Sequence, residues 1–279
     1  MMRSLWSAAS GMIAQQTNLD DIANNLSNVN TTGYKKDTTE FKSLLYQTLQ
    51  RKSTNNAGEN KPVPAQVGLG TRVASITTVF TQGALQESSN SVSHVAIEGK
   101  GFFKVKDQNG TINYTRDGSF AIQPTNGGAM LCTSEGFAVL DQRNNPIIIP
   151  SKYDAQSLTI DQEGNILVAD PEKNDQKIPL NTGGYNQVLG LVQFTNPSGL
   201  NDAGGNRYTA TAASGEPLEE STTQGLTRSK THQGYLEMSN VQVADEMVNM
   251  IVAQRAYEMN AKAITTTDSM MELANNLKR

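Results

Sequence analysis

One cysteine in 279 residues, Cys132, leaves no internal disulfide and no multi-cysteine metal site. A lone thiol of this kind behaves as a small buried hydrophobe. Histidine is nearly as scarce. His94 and His232 are the only two, and neither has cysteine or carboxylate neighbours at metal-ligand spacing. Positive charge is thin: 23 Lys and Arg stand against 27 Asp and Glu, a net charge of −4. Basic residues never exceed two in a row, which excludes the concentrated charge of a nucleic-acid groove. No apolar run approaches the ~18 residues of a membrane-spanning helix. The N-terminus lacks the charged start, apolar core and cleavage site of a secretory signal, so any export is expected to use a route without one. Nucleophile-elbow, Walker and dinucleotide-binding motifs are missing too. Gly99-Lys100-Gly101 is too short for a phosphate loop and reads as a bulge or close backbone approach. Arg116 and Asp117 suit a salt bridge or turn cap. The sequence offers no catalytic residue, metal site or cofactor site.

What is present in quantity is helical periodicity at the two ends. Val243, Met247, Met250, Gln254, Tyr257, Ala261, Ile264, Asp268 and Met271 follow a 3-4 spacing without an intervening Gly or Pro. Ser239 and Gln242 have capping-box spacing, and Met238 and Val243 occupy staple positions. A helix from Ser239 to the C-terminus would be roughly 57 Å long at about 1.5 Å per residue. At the other end Leu5, Ala8, Met12, Gln15, Leu19, Ile22, Leu26 and Val29 form a second seam. It stops in Asn28, Asn30, Thr31, Thr32 and Gly33, residues that compete for backbone hydrogen bonds or accept positive φ. Two such seams suit an antiparallel pair within one chain or a larger coiled coil. Apolar residues off the seams, at Ala9, Ile13, Ala23, Val248, Ile251 and Ala263, favour further helices from other copies.

Between the ends the period changes. Residues 34–46 form a short amphipathic segment with Phe41, Leu44 and Leu45 as its apolar contacts. Residues 50–66 are polar and Pro-containing, an arm or linker. From Val67 the period is two, with Val73, Ser75, Thr77 and Val79 on one face. Strands are expected at 95–105, 112–116, 120–123, 129–132, 137–141, 147–149, 158–160, 166–168 and 188–194. Asn-Gly and Asp-Gly turn signals separate several of them. The fold class expected is α+β: long terminal helices paired as a coiled coil around a central all-β domain. The domains expected are a helix over 1–34, a connecting segment over 35–91 with an insertion near 50–66, the β-domain over 92–235, and a helix over 236–279.

Three stretches match a known family. Residues 23–35, Ala-Asn-Asn-Leu-Ser-Asn-Val-Asn-Thr-Thr-Gly-Tyr-Lys, resemble the N-terminal signature of the bacterial flagellar rod and hook proteins. Ser239-Asn240-Val241 with 247–258, Met-Val-Asn-Met-Ile-Val-Ala-Gln-Arg-Ala-Tyr-Glu, resembles their C-terminal signature. Residues 96–103 and 114–120 are similar to the shared β-domain. Met2-Arg3-Ser4-Leu5-Trp6, Leu44-Leu45-Tyr46-Gln47-Thr48 and the 50–66 stretch resemble the distal part of the rod more than the hook.

The resemblance implies a structural subunit that polymerises into a hollow tube and transmits motor torque, with terminal helices inside and the β-domain outside. It implies residence in the flagellar basal body in the cell-envelope region, after type III export. The partners implied are copies of the chain, proximal rod and hook subunits, and envelope ring proteins; no nucleic acid and no membrane insertion. The assembly interface expected is Leu5, Met12, Leu19, Ile22, Leu26, Val29, Val243, Met247, Met250, Tyr257, Ile264 and Met271. Gln15, Gln16, Asn18, Asn24 and Asn25 are candidates to line the channel. Alternatives at this point are a proximal rod or hook subunit of the same family, or a secreted oligomeric β-domain binding module.

Overall fold

Helix α1 covers Met2–Ser27 and helix α2 covers Val243–Asn276, and every paired strand between them is antiparallel among the described residues. The computed structural model describes residues 2–50, 65–88, 91–125, 127–170, 176–182, 184–223 and 225–277. The chain is α+β and divides into two units. The first holds Met1–Ser27, Asp37–Thr78 and Gln242–Arg279; the second holds Asn28–Lys36 and Val79–Val241.

In the first unit α1 lies against α2 and also against a hairpin of β1 (Asp37–Ser43) and a later strand. Strand β2 (Tyr46–Gln50) pairs with β3 (Ala65–Gly68), and β4 (Thr71–Thr78) returns along β1 with a bulge between Glu40 and Phe41. Polar groups make the helix–hairpin joint. Asn25 accepts from the Asp37 amide at 2.9 Å and donates to its carbonyl at 2.8 Å, and Thr39 donates to Asp21. One turn-spaced set further along, Ser7 and Ser10, meets Gly70, where φ is +111° and any Cβ would overlap the Ser10 hydroxyl. That joint explains a departure from expectation. Residues 34–46 place Phe41 and Leu45 in solvent while Thr39 is buried, because the surface β1 packs on is polar. Most of the 50–66 stretch lies outside the described residues; Gln50, Ala65 and Gln66, at its ends, are paired strand residues.

The second unit carries the self-contained core. Strand β5 (Leu85–Glu87) pairs with Tyr235–Glu237, and β6 (Val95–Glu98) pairs with Lys230–Gln233. Strand β7 (Phe102–Lys106) is central in a ten-stranded sheet, beside β8 (Ile112–Thr115). Successive side chains of β7 face opposite ways. Phe103 and Val105 enter the main aliphatic core with Val95, Leu131, Ile149 and Ile166, while Phe102 enters a second core of Tyr114, Phe194 and Tyr208. Burial on both faces accounts for the adjacent Phe102 and Phe103. The expected strand over 95–105 is two strands with different partners, separated at Gly99, which has φ +134° and would place a Cβ 2.6 Å from the Ser229 hydroxyl. Of the expected strand 188–194 only Leu191–Gln193 ladders with the sheet; Val188 and Leu189 make isolated bridges.

A buried ion cluster ties this unit together. Glu237 binds Lys35 at 2.5 Å through one oxygen and Arg116 at 3.3 Å through the other. The Gly83 amide donates to Glu237 at 2.9 Å, Lys35 donates to the Thr81 carbonyl at 2.8 Å, and Arg116 donates to the Gly99 carbonyl at 2.8 Å. Arg116 also lies over the Phe102 ring. It pairs with Glu237, leaving Asp117 to cap Ser119 and accept from Thr32. Burial holds both cations below their ordinary values, against the opposing pull of Glu237.

Helix α2 starts at Val243, later than the capping-box reading placed it. Gln242 is its N-cap without a side-chain bond, and the Ser239 hydroxyl accepts from the Val241 amide instead. The Asn240 amide is bonded to residues far away in sequence and keeps 239–241 out of the helix.

Two outcomes follow for stability. Glu237→Gln strands two buried cations and is expected to cost about 3–5 kcal/mol in denaturant unfolding. Lys35→Met leaves the Arg116–Glu237 pair intact and costs much less. The folded chain gives up the Lys35 proton before the unfolded one does. The parent is therefore expected to gain stability relative to Lys35→Met as pH rises towards 10.5. Separately, Asn25→Ala removes both bonds to Asp37 and is expected to cost about 1–2 kcal/mol. Amide exchange at Asp37, in the full chain, reads the loosening directly.

Candidate assembly surface

Helix α2 carries apolar residues on several sides, interspersed with polar and charged ones, and α1 covers only one side of it. Its inward positions are Glu246, Met250, Ala253, Asn260, Ile264, Thr267 and Met271, all buried or half-buried at helical spacing. Gly11 of α1 provides one close approach: a Cβ there would lie 2.8 Å from the Asn260 amide nitrogen. On the remaining sides Val248, Ile251, Val252, Met259, Met270 and Leu273 face solvent, Val252 at 62 % and Met259 at 67 % exposure. Helix α1 adds Trp6 at 73 % and Ile13 at 68 %. The β2–β3 ribbon adds Leu45, Tyr46, Leu49 and Val67.

The location of these residues is the informative fact. Among the described residues, every large exposed hydrophobe except Val92 and Tyr235 belongs to the first unit. Single exposed apolar side chains are ordinary on a folded protein. Here they recur along a helix of 34 residues, about 50 Å long, which is more than isolated exposure. Charged residues lie between them, among which Arg255 and Glu258 form an exposed ion pair at 2.8 Å.

The seam residues named from the sequence divide into three groups. Ile22 is buried at 5 % exposure, inside its own chain. Leu5, Met12, Leu19, Leu26, Val29, Met250, Ile264 and Met271 are half-buried. Val243, Met247 and Tyr257 are exposed. The seam spacing was legible, but on α2 the inward face is rotated from it, since Glu246 is buried beside exposed Val243 and Met247. The exposed set also contains Trp6, Val252, Met259, Met270 and Leu273, which seam reasoning passed over because they fall between its positions. Among the candidates to line a channel, Asn25 is buried and committed to Asp37. Gln16 and Asn24 are exposed, and Gln15 and Asn18 are half-buried.

The second unit contains a cavity of about 320 Å³ bordered by Gln142, Glu163, Leu189, Glu220, Arg228 and Lys230. Its buried carboxylate, Glu220, is consumed by the Ser229 amide and hydroxyl and by Gln193. The histidines are also committed separately. His232 bonds Glu98 at 2.8 Å, a contact that holds that carboxyl below its usual range, and His94 bonds Ser88. Among the described residues no group of three His, Cys, Asp or Glu side chains is placed to hold a metal.

Comparison with known proteins gives the surface its context. Residues 5–35 match the family model described as flagella basal body rod protein, 96–168 match the flagellar hook protein FlgE/F/G D1 domain, and 232–277 match the flagellar basal body rod FlgEFG protein C-terminal region. The chain is 48 % identical to the flagellar basal-body rod protein FlgG of Borreliella burgdorferi, over the whole of both chains. It is 42 % identical to FlgG of Buchnera aphidicola over 99 % of this chain and all of that one, and 37 % identical to FlgG of Bacillus subtilis over the whole of both. The chain therefore belongs to the FlgG family of flagellar basal-body rod proteins, a family of structural proteins and not of enzymes.

Proposed function

We propose that this chain is a structural subunit of the distal rod, polymerising into a hollow helical tube that carries motor torque through the cell envelope. The supporting observation is that, among the described residues, all the large exposed hydrophobes but Val92 and Tyr235 lie in the unit that holds both helices. A head-to-tail contact that does not close into a ring propagates as a helical filament. In this reading α1 and α2 pair as a coiled coil, and copies of them cover Val248, Ile251, Val252 and Met259 to make the inner wall. The second unit, whose apolar residues are already internal, forms the outer layer. At the tube's ends the same surface meets proximal rod and hook subunits, and the outer layer faces envelope ring proteins. Export proceeds through the type III apparatus.

The test is a pair of substitutions that the burial pattern separates. Ile251→Asp alters an exposed position, so denaturant unfolding of the monomer should stay within about 0.5 kcal/mol of the parent. Rods should nevertheless be missing from basal bodies of cells that carry it. Ile22→Asp puts a charge inside the chain's own packing and should destabilise the first unit before assembly is reached. Normal rods built from Ile251→Asp would contradict the proposal.

A further inference from the structure

The cavity of about 320 Å³ lies wholly within the second unit, and two hairpin turns of one sequence type build part of it. Asp141-Gln142-Arg143-Asn144-Asn145 and Asp161-Gln162-Glu163-Gly164-Asn165 each close by a bond from the first amide to the last carbonyl, at 2.8 and 3.0 Å. Each has positive φ at its fourth residue, +63° at Asn144 and +81° at Gly164. Residues 188–189 bridge to both turns, which brings the two second residues, Gln142 and Gln162, to the same cavity. Their backbones are fixed there. The Gln142 carbonyl accepts from Lys104 at 3.0 Å, and the Gln162 carbonyl accepts from the Thr231 amide at 3.0 Å. Their side-chain amides have no partner among the described residues.

The buried part of the lining is apolar or already satisfied. Leu189 and Leu191 are buried, and the buried Glu220 is taken up by Ser229 and Gln193. The exposed part is neither. Arg228, Lys230 and Glu163 make no side-chain hydrogen bond or ion pair among the described residues. Two cations and two carboxylates leave the lining without net charge.

We propose that this cavity binds a small zwitterion with an aliphatic side chain, a free amino acid or dipeptide. Its volume stands at the small end of the range for ligand pockets, roughly 300–1,000 Å³. Arg228 and Lys230 suit the carboxylate of such a ligand, the guanidinium because its planar fork matches both oxygens. Glu163 suits the ammonium group, and the Gln142 and Gln162 amides offer donors and acceptors to a peptide group. The two leucines receive the side chain. A lining of balanced charge is unsuited to a polyanion, which needs concentrated positive charge. The site needs no second copy of the chain, so it stands or falls apart from the assembly reading.

Calorimetric titration of the full-length protein with alanyl-leucine tests this. Saturable binding is expected below about 10 mM. N-acetyl-alanyl-leucine lacks the ammonium and alanyl-leucinamide lacks the carboxylate, and each should bind about tenfold more weakly. Arg228→Ala and Glu163→Gln alter exposed positions and should unfold as the parent does, yet each should weaken alanyl-leucine about tenfold. Glu163→Gln should leave the affinity for the acetylated dipeptide unchanged, because the group it meets is already gone. Absence of saturable binding by alanyl-leucine would overturn the proposal. So would equal binding of the two capped dipeptides, or an affinity that ignores both substitutions.

Discussion

The carboxylate of Glu237 is the point on which the second unit depends. Two buried cations approach it from segments that are distant in sequence, Lys35 and Arg116, and a backbone amide completes its shell. Such clusters contribute little net stability, because desolvation offsets most of the attraction. Their effect is positional: removing one member leaves charge stranded, so few alternative arrangements of the same segments are tolerable. Here the segments so fixed are those through which the chain leaves the second unit. Two of the three stretches that resemble the rod and hook family supply Lys35 and Arg116, and Glu237 stands just ahead of the C-terminal one.

The two units solve opposite problems. The second buries its apolar side chains in cores on both faces of β7, leaving Val92 and Tyr235 as its only large exposed hydrophobes among the described residues. The first does the reverse, with a helix that carries apolar residues on several sides and a partner that covers one. A monomer pays for that surface in solubility, and burial at roughly 25 cal/mol per Å² returns it only when something covers the helix. Assembly is the use that fits a chain of this family.

Much of this was legible in the sequence, and the limits have identifiable causes. The helices announced themselves through long 3-4 spacing, because nothing else sustains that period. Which side of α2 turns inward was not legible, since its apolar residues fall on several sides and none is preferred until the partner is placed. The start of α2 was misread because the capping signal at Ser239 and Gln242 is local, whereas the Asn240 amide answers to Lys36, Val79 and Thr81. The ion cluster was invisible for the same reason: its members are ordinary charged residues until the fold brings them together. Short strands were located well where turn signals bracket them. They were merged where a glycine pair, Gly99 and Gly101, redirects the backbone between two apolar stretches.

Methionine footprinting tests the central claim most directly, since α2 carries its own probes. Met247, Met259 and Met270 are exposed on that helix, and Met130 lies half-buried in the second unit. Oxidative labelling should modify the three α2 methionines readily in the monomer and spare them in assembled rods, with Met130 reacting alike in both. Rods in which Met247, Met259 and Met270 are oxidised as fast as in the monomer would contradict the account, because the apolar surface of α2 would then remain uncovered after assembly.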